Sequence, residues 1–297
     1  MNKVIAVVGP TCSGKTGVAI ELAKQFNGEV VSADSRQLYT GLDIGTGKVT
    51  PQEAQGITHH LIDIADPKEQ FSVAQFRDMA LSIMDDIHAR NKLPIIAGGT
   101  GQYVDALLYT QTIPDVPPNE ALREELRKLT AAELFEKLQK LDPARAANIE
   151  PQNPRRLIRA LEIIATIGAV PKQQEKEVRF NSLIIGLDVD KKILNTKIHE
   201  RLIARIKEGM LAEAEKLHHD GLSWDRFEEL GLEYRYLKRH LADTITIEEM
   251  VAQLESEIKH YAKRQRTWWK HRDDIELFDP NLIQNITLRV KEFLLEI

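Results

Sequence analysis

Val4-Ile5-Ala6-Val7-Val8, followed by Gly9-Pro10-Thr11-Cys12-Ser13-Gly14-Lys15-Thr16, is the stretch on which the fold turns. The apolar, mostly β-branched run reads as a strand, and residues 9–16 match G-x-x-x-x-G-K-[ST]. Behind them, Val18, Ile20, Leu22, Ala23 and Phe26 give a helical pattern. Strand, glycine loop and helix in that order form the context a phosphate loop requires. Glycines let backbone N–H groups approach phosphate oxygens, and the helix N-terminus adds positive potential. Lys15 is therefore expected across the terminal phosphates and Thr16 on Mg2+, with Gly9, Thr11, Cys12, Ser13 and Gly14 completing the cradle. The loop does not say which polyphosphate it holds, because a nucleoside triphosphate and a prenyl diphosphate present nearly the same oxygens. Cys12 reads as a small filler residue rather than a catalytic thiol.

Two further strand-like runs lie outward from this one. Glu29-Val30-Val31-Ser32 stops at Ala33-Asp34, and Leu93-Pro94-Ile95-Ile96-Ala97 stops at Gly98-Gly99-Thr100. Strands alternating with helices predict an α/β fold: a P-loop-type core with a parallel sheet flanked by helices, and ligands beyond the carboxyl ends of the strands. Pro114-Asp115-Val116-Pro117-Pro118 reads as a linker. Leu122, Leu126 and Leu129, then Leu134, Leu138 and Leu141, mark helices beyond it, and another is predicted over Pro154–Ile167, ending near Gly168. Leu183–Leu187 looks like a strand returning to the sheet. Residues 114–180 thus read as a helical insertion, with 1–113 and 181–297 as the core. A long amphipathic helix is predicted from Lys191 to Leu217 with Gly221 as its stop, then a helix over Ile247–Lys270 and a short strand over Ile275–Phe278.

The 297 residues suffice for one large domain or two modest ones, and 42% hydrophobic with 29% charged residues describes an ordinary globular protein. No apolar run approaches a membrane span, none near the N-terminus suits a signal peptide, and one cysteine excludes an internal disulfide framework. A cytoplasmic address is expected. The formal net charge of −5 argues against bulk coating of nucleic acid, yet charge is unevenly distributed. Lys259, Lys263, Arg264, Arg266, Lys270 and Arg272 fall in one acid-free stretch; without these six, 34 basic residues face 45 acidic ones. Lys259, Lys263, Arg266 and Lys270 share one stripe of a helix, while Leu254, Ile258, Tyr261 and Trp268 form another that is expected to face the core. A charge stripe alone reads equally as a solvated face or as a ridge for RNA phosphates. His59-His60 and His218-His219 have no accompanying cysteines, and no structural zinc is predicted.

A second set of motifs narrows the choice of polyphosphate. Asp34-Ser35-Arg36-Gln37-Leu38-Tyr39, followed by Gly41-Leu42-Asp43-Ile44-Gly45-Thr46-Gly47-Lys48, resembles the signature of the tRNA dimethylallyltransferases, also called tRNA isopentenyltransferases. His59-His60-Leu61-Ile62-Asp63, Gly98-Gly99-Thr100-Gly101, Arg156-Leu157-Ile158-Arg159-Ala160-Leu161-Glu162 and Lys263-Arg264-Gln265-Arg266-Thr267-Trp268 come after it in the family's order, so the resemblance spans nearly the whole chain. Three positions depart from it: Cys12 stands where alanine is common, Gly231-Leu232-Glu233-Tyr234-Arg235 replaces a Gly-Tyr-basic element, and Lys270 replaces an arginine.

The resemblance implies dimethylallyl diphosphate as donor, the exocyclic N6 of an adenosine beside the tRNA anticodon as acceptor, and the anticodon stem-loop as partner of a monomeric enzyme. It also implies that the insertion helps enclose the tRNA. It makes Asp34 the general base, a role that competes with helix capping or Mg2+ orientation on the residues alone. Thr100 is implied against the reacting adenine, and Arg159 on the diphosphate as well as the RNA. Asp34, Ser35, Arg36, Gln37, Thr100, Arg156, Arg159, Tyr234, Arg235, Lys263, Arg264, Gln265, Arg266 and Trp268 are the implied tRNA contacts. The rival readings are a small-molecule kinase, a prenyltransferase acting on free AMP, and a non-catalytic RNA-binding module.

Overall fold

The structure is a computed structural model that describes residues 2–110, 112–114, 116–171, 177–270 and 272–296. Asp115 of the expected linker lies outside the described residues. The elements up to the excursion are β1 (Lys3–Val8), α1 (Lys15–Gln25), β2 (Gly28–Ser32), α2 (Pro51–Ala54), β3 (His59–His60), α3 (Val73–Ala89), β4 (Leu93–Gly98) and α4 (Gly101–Leu108). A helical unit comes next with α5 (Glu120–Leu126), α6 (Ala131–Leu141), α7 (Pro143–Ala146) and α8 (Pro154–Ile167). The chain then continues through β5 (Asn181–Leu187), α9 (Lys191–Lys207), α10 (Met210–His219), α11 (Trp224–Glu229), α12 (Leu232–Leu241), α13 (Ile247–Lys270), β6 (Ile275–Phe278) and α14 (Ile283–Leu295). Two compact units result: Met1–Tyr109 with Val178–Ile297, and Thr110–Glu177.

Among the described residues the sheet has six strands in the order β3-β2-β4-β1-β5-β6, and every pairing is parallel. The pleat explains why β1 is apolar at every position after Lys3. Val4, Ala6 and Val8 face one core with Val31, Ile96 and Ile184, while Ile5 and Val7 face a second with Val30, Ile95 and Ile185. A parallel sheet covered on both sides needs this continuous apolar pattern. Because β4 lies between β2 and β1, the segments that leave these three strands are neighbours at one edge of the sheet.

The helical unit has its own core of Leu126, Leu134, Leu138, Leu157, Leu161 and Ile164. Its helix α8 starts at an Asn153 cap with Pro154 in the first turn and ends at Gly168, whose φ of 87° lets the chain turn out of the helix. Buried Glu162 accepts from the Asn119 backbone at 2.7 Å and pairs with Arg123 at 2.9 Å and with Arg159.

Two expectations are corrected here, and one element was not among those expected. The predicted helix Lys191–Leu217 is two helices, parted at Gly209 with φ 104°. The two-residue strand β3 was not foreseen; it is too short to show a pattern. In α13 the core-facing tryptophan is Trp269 (3% exposed), whereas Trp268 is 47% exposed. The i, i+7 spacing from Tyr261 to Trp268 is helical, but that face meets the turn after β4 rather than the core. No helix among the described residues is long and apolar enough to cross a membrane.

Candidate active site

The loop after β1 returns into α1 through Gly14, the residue before the first helical turn. Ser13 N–H donates to the Pro10 carbonyl at 3.3 Å, closing a turn, and the Ser13 side chain is fully buried. The Lys15 ammonium donates to the Pro10 carbonyl at 2.7 Å and so lies folded over the loop it belongs to. Burial lowers its pKa from 10.5 to about 8, the Asp34 carboxylate opposes the drop, and the Arg201 guanidinium adds to it. Asp34 and Lys15 thus feel one another although they leave different strands.

The acceptor side is built from the ends of β2 and β4. Asp34 Oδ1 accepts from Arg36 N–H at 2.9 Å, which fixes one carboxylate oxygen and the direction of the side chain. Thr100 Oγ1 accepts from Ser35 N–H at 3.3 Å, joining the two strand ends. Tyr261 and Tyr103 also sense the Asp34 charge; burial first, and that charge second for Tyr261, push the Tyr261 phenol up to about 12. One face of α13 lies along this turn. Tyr261 interacts with Thr100, Gln265 donates to the Gly99 carbonyl at 2.9 Å, and the Trp268 indole approaches Gly101 so closely that a Cβ there would sit 2.5 Å from Nε1. Gln265 is 7% exposed and its other amide atom accepts from Thr11 N–H at 2.8 Å. Both ends of its amide are committed within the protein, in contrast to the RNA contact implied by the sequence.

Two cations of the site were missed in the sequence. Arg201 reaches the Cys12 sulfur at 3.6 Å and the Gly47 carbonyl at 3.4 Å, and Arg205 donates to the Gly45 carbonyl at 3.2 Å. Arg205 is buried, its pKa lowered by burial and by Arg201. A signal was present: Arg205 continues the stripe of Leu194, Ile198 and Leu202, so an arginine occupies a core position of α9. The loop over residues 43–47 that holds both guanidiniums is itself held by Glu213. This carboxylate accepts from the N–H groups of Asp43, Ile44 and Gly45 at 2.9, 2.7 and 2.9 Å, and from the Tyr234 hydroxyl at 2.7 Å. Tyr234 is therefore a core residue anchoring this loop, not an exposed RNA contact. Gly47, at φ 60°, leaves the space that Arg205 fills.

The remaining expected contacts divide by what they touch. Gln37 donates to the Gly47 carbonyl at 3.1 Å, and Ser35 and Arg36 are half-buried beside Asp34. Arg235 pairs with Glu228 at 3.1 Å. On α13, Lys259 is paired with Glu255, and Arg266 meets Asp188 at 2.6 Å. Lys263 and Arg264 are exposed and, with His260, Thr267 and Trp268, line an open groove. The ridge is thus narrower than its sequence stripe. Arg156 and Arg159 belong to the helical unit. There Arg156 is exposed with Glu150 at 3.4 Å, and Arg159 is bound to Glu162 and, at 2.9 Å, to the Val116 carbonyl.

Among the described residues no group of three His, Cys, Asp or Glu side chains is disposed to hold a metal ion. Thr16 is exposed in the first turn of α1. Such a donor set fits a Mg2+ that arrives with phosphate oxygens and water as its other ligands.

The pattern that defines the IPP transferase family matches residues 37–272. The chain belongs to this family. It is 39% identical over 298 residues to the tRNA dimethylallyltransferase of Anoxybacillus flavithermus, covering 99% of this chain and 95% of that one. A Roseiflexus protein of the same name is 42% identical over 277 residues, covering 91% and 90%. Among solved IPP transferases, the full-length tRNA isopentenylpyrophosphate transferase of Bacillus halodurans has a TM-score of 0.76 at 38% identity, covering 99% of this chain and 97% of its own. A eukaryotic dimethylallyltransferase acting on tRNA has a TM-score of 0.83 at 26% identity, covering 99% and 80%.

Proposed function

We infer that this chain transfers a dimethylallyl group from dimethylallyl diphosphate to the exocyclic N6 of an adenosine beside the anticodon of tRNA. The observation that carries the reading is the adjacency of Asp34, Thr100 and the phosphate loop at the ends of three neighbouring strands, close enough for the Asp34 charge to act on Lys15. Strands lie about 4.8 Å apart, so the tips of β2 and β1 are roughly 10 Å apart. That gap accommodates a short allylic chain between a base and a bound diphosphate.

The chemistry rests on the groups present. The N6 lone pair forms the new bond to the allylic carbon as its C–O bond to diphosphate breaks, and the N6 proton passes to Asp34. The amine is a weak nucleophile because its lone pair is delocalised into the ring, so a carboxylate at this place has a defined task. Negative charge grows on the leaving diphosphate, and Lys15, Arg201 and the loop N–H groups stabilise it. Mg2+ on Thr16 would add neutralising charge on the same oxygens. Arg205 steadies the 43–47 loop against which Arg201 is held. In this reading Thr100 meets the adenine, and Lys263 and Arg264 offer the RNA backbone two exposed cations. An adenine in a stem-loop must swing out of its stack to reach this site.

The test is direct. The protein is incubated with an anticodon stem-loop and either dimethylallyl diphosphate or ATP, and the nucleosides are analysed by mass spectrometry. Prenylated adenosine with diphosphate release supports the reading. ATP turnover without prenyl transfer would reject it, and AMP outcompeting the stem-loop as acceptor would replace it by prenylation of free nucleotide.

A further inference from the structure

Gln265 is the one described side chain whose hydrogen bonds join the donor loop to the acceptor turn. Its Oε1 accepts from Thr11 N–H at 2.8 Å, and its Nε2 donates to the Gly99 carbonyl at 2.9 Å. Thr11 lies in the phosphate loop after β1, and Gly99 immediately precedes Thr100 after β4. The amide is buried, so both bonds are shielded from competing water. The fit is tight from the other side as well: a Cβ on Gly99 would overlap Gln265 Nε2. At this length an ionised glutamate lacks the donor and methionine lacks both groups.

We propose that Gln265 is a positioning residue that sets the distance between the diphosphate-holding loop and the Thr100 turn, and hence the separation of the reacting carbon and N6. The proposal rests on the functional reading above. It gives Gln265 a role in the rate of the bond-forming step rather than in holding RNA. Reacting atoms must come within about 3–3.5 Å, and a displacement near 1 Å costs on the order of 100-fold in rate.

The experiment compares wild type, Gln265→Met, Gln265→Glu and Gly99→Ala. It measures the single-turnover rate at saturating dimethylallyl diphosphate and stem-loop, the Kd of the stem-loop, and the melting temperature. Gln265→Met removes both bonds, Gln265→Glu in its ionised form keeps only the one to Thr11, and Gly99→Ala dislodges the amide without altering it. The expected result is a fall of roughly 30- to 100-fold in the saturated rate for Gln265→Met and Gly99→Ala. Gln265→Glu falls between these and wild type, and the stem-loop Kd stays within about threefold. A Kd raised tenfold or more with the saturated rate retained would make Gln265 an RNA contact and overturn the proposal. So would unchanged rates, or loss of the fold in all three variants, which would reduce the residue to a strut. Failure of wild type itself to prenylate would instead reject the functional reading, which keeps the two separable.

Discussion

Replacing Lys15 by methionine should move donor binding and stability in opposite directions. Burial, assisted by Arg201, lowers the Lys15 pKa from 10.5 to about 8. The drop corresponds to roughly 3 kcal/mol at ~1.4 kcal/mol per tenfold, an upper bound because the side chain keeps some solvent exposure. Between pH 8 and 10.5 the unfolded chain holds a proton on Lys15 that the folded chain has released. Native stability therefore rises with pH across this window. The stability of wild type minus that of Lys15→Met isolates the contribution, since other groups titrate alike in both. That difference should be negative near neutrality and climb by up to ~3 kcal/mol through the window, measured by urea denaturation at half-unit steps. Diphosphate prefers the protonated ammonium, so inorganic pyrophosphate should bind wild type about tenfold more weakly per pH unit above 8. It should bind the variant weakly and without that dependence. A stability difference that is flat or falls with pH, or pyrophosphate affinity unchanged up to pH 9.5, would refute the reasoning.

Asp34→Asn should retain stem-loop affinity and lose about 100- to 10,000-fold in turnover, because the amide cannot take the N6 proton; a loss below tenfold in single-turnover assays removes the base assignment. Lys263→Ala and Arg264→Ala should each reduce the slope of log affinity against log salt by about 1, whereas Lys259→Ala, whose ammonium is engaged by Glu255, should change it less. Glu29→Ala should cost about 1–3 kcal/mol in denaturant titrations, since this buried carboxylate gathers Arg90, Lys92 and His60 at the edge of the sheet. Those partners, Arg90 foremost, hold the Glu29 carboxyl well below its ordinary range. Its stabilising contribution is accordingly complete above the ordinary carboxylate range and declines progressively as pH falls below it.

The sequence made the catalytic side of the sheet legible because the signals there are local. A β-branched run, a glycine loop and a helix fixed β1 and α1, and the stops after β2 and β4 marked where Asp34 and Thr100 would stand. The bounds of α8 and α13 were equally readable from a proline start, a glycine stop and an unbroken helical period. What escaped was long-range pairing. One local pair was also passed over: Glu255 stands four residues before Lys259 on the same helix, a spacing that favours their pairing. Arg201 and Arg205 reach a loop more than 150 residues earlier in the chain, a partnership that no spacing encodes. Tyr234 is implied by the resemblance only as a tRNA contact, yet its hydroxyl completes the Glu213 cluster. The break at Gly209 is hidden because apolar residues recur every four positions across it, at Leu202, Ile206, Met210 and Ala214.

The turn after β4 has a consequence for inheritance. A methyl group on Gly98 would collide with the Ala33 backbone, one on Gly99 with the Gln265 amide, and one on Gly101 with the Trp268 indole. The first obstacle is main chain and has no side chain to trim; the other two are ends of side chains. A genetic suppressor screen should therefore rescue Gly101→Ala through smaller residues at 268. For Gly99→Ala, compensation at 265 would relieve the clash only by surrendering the bridge, and Gly98→Ala should yield no single compensating change. Three glycines that look interchangeable on paper thus differ in how far a lineage can wander from them.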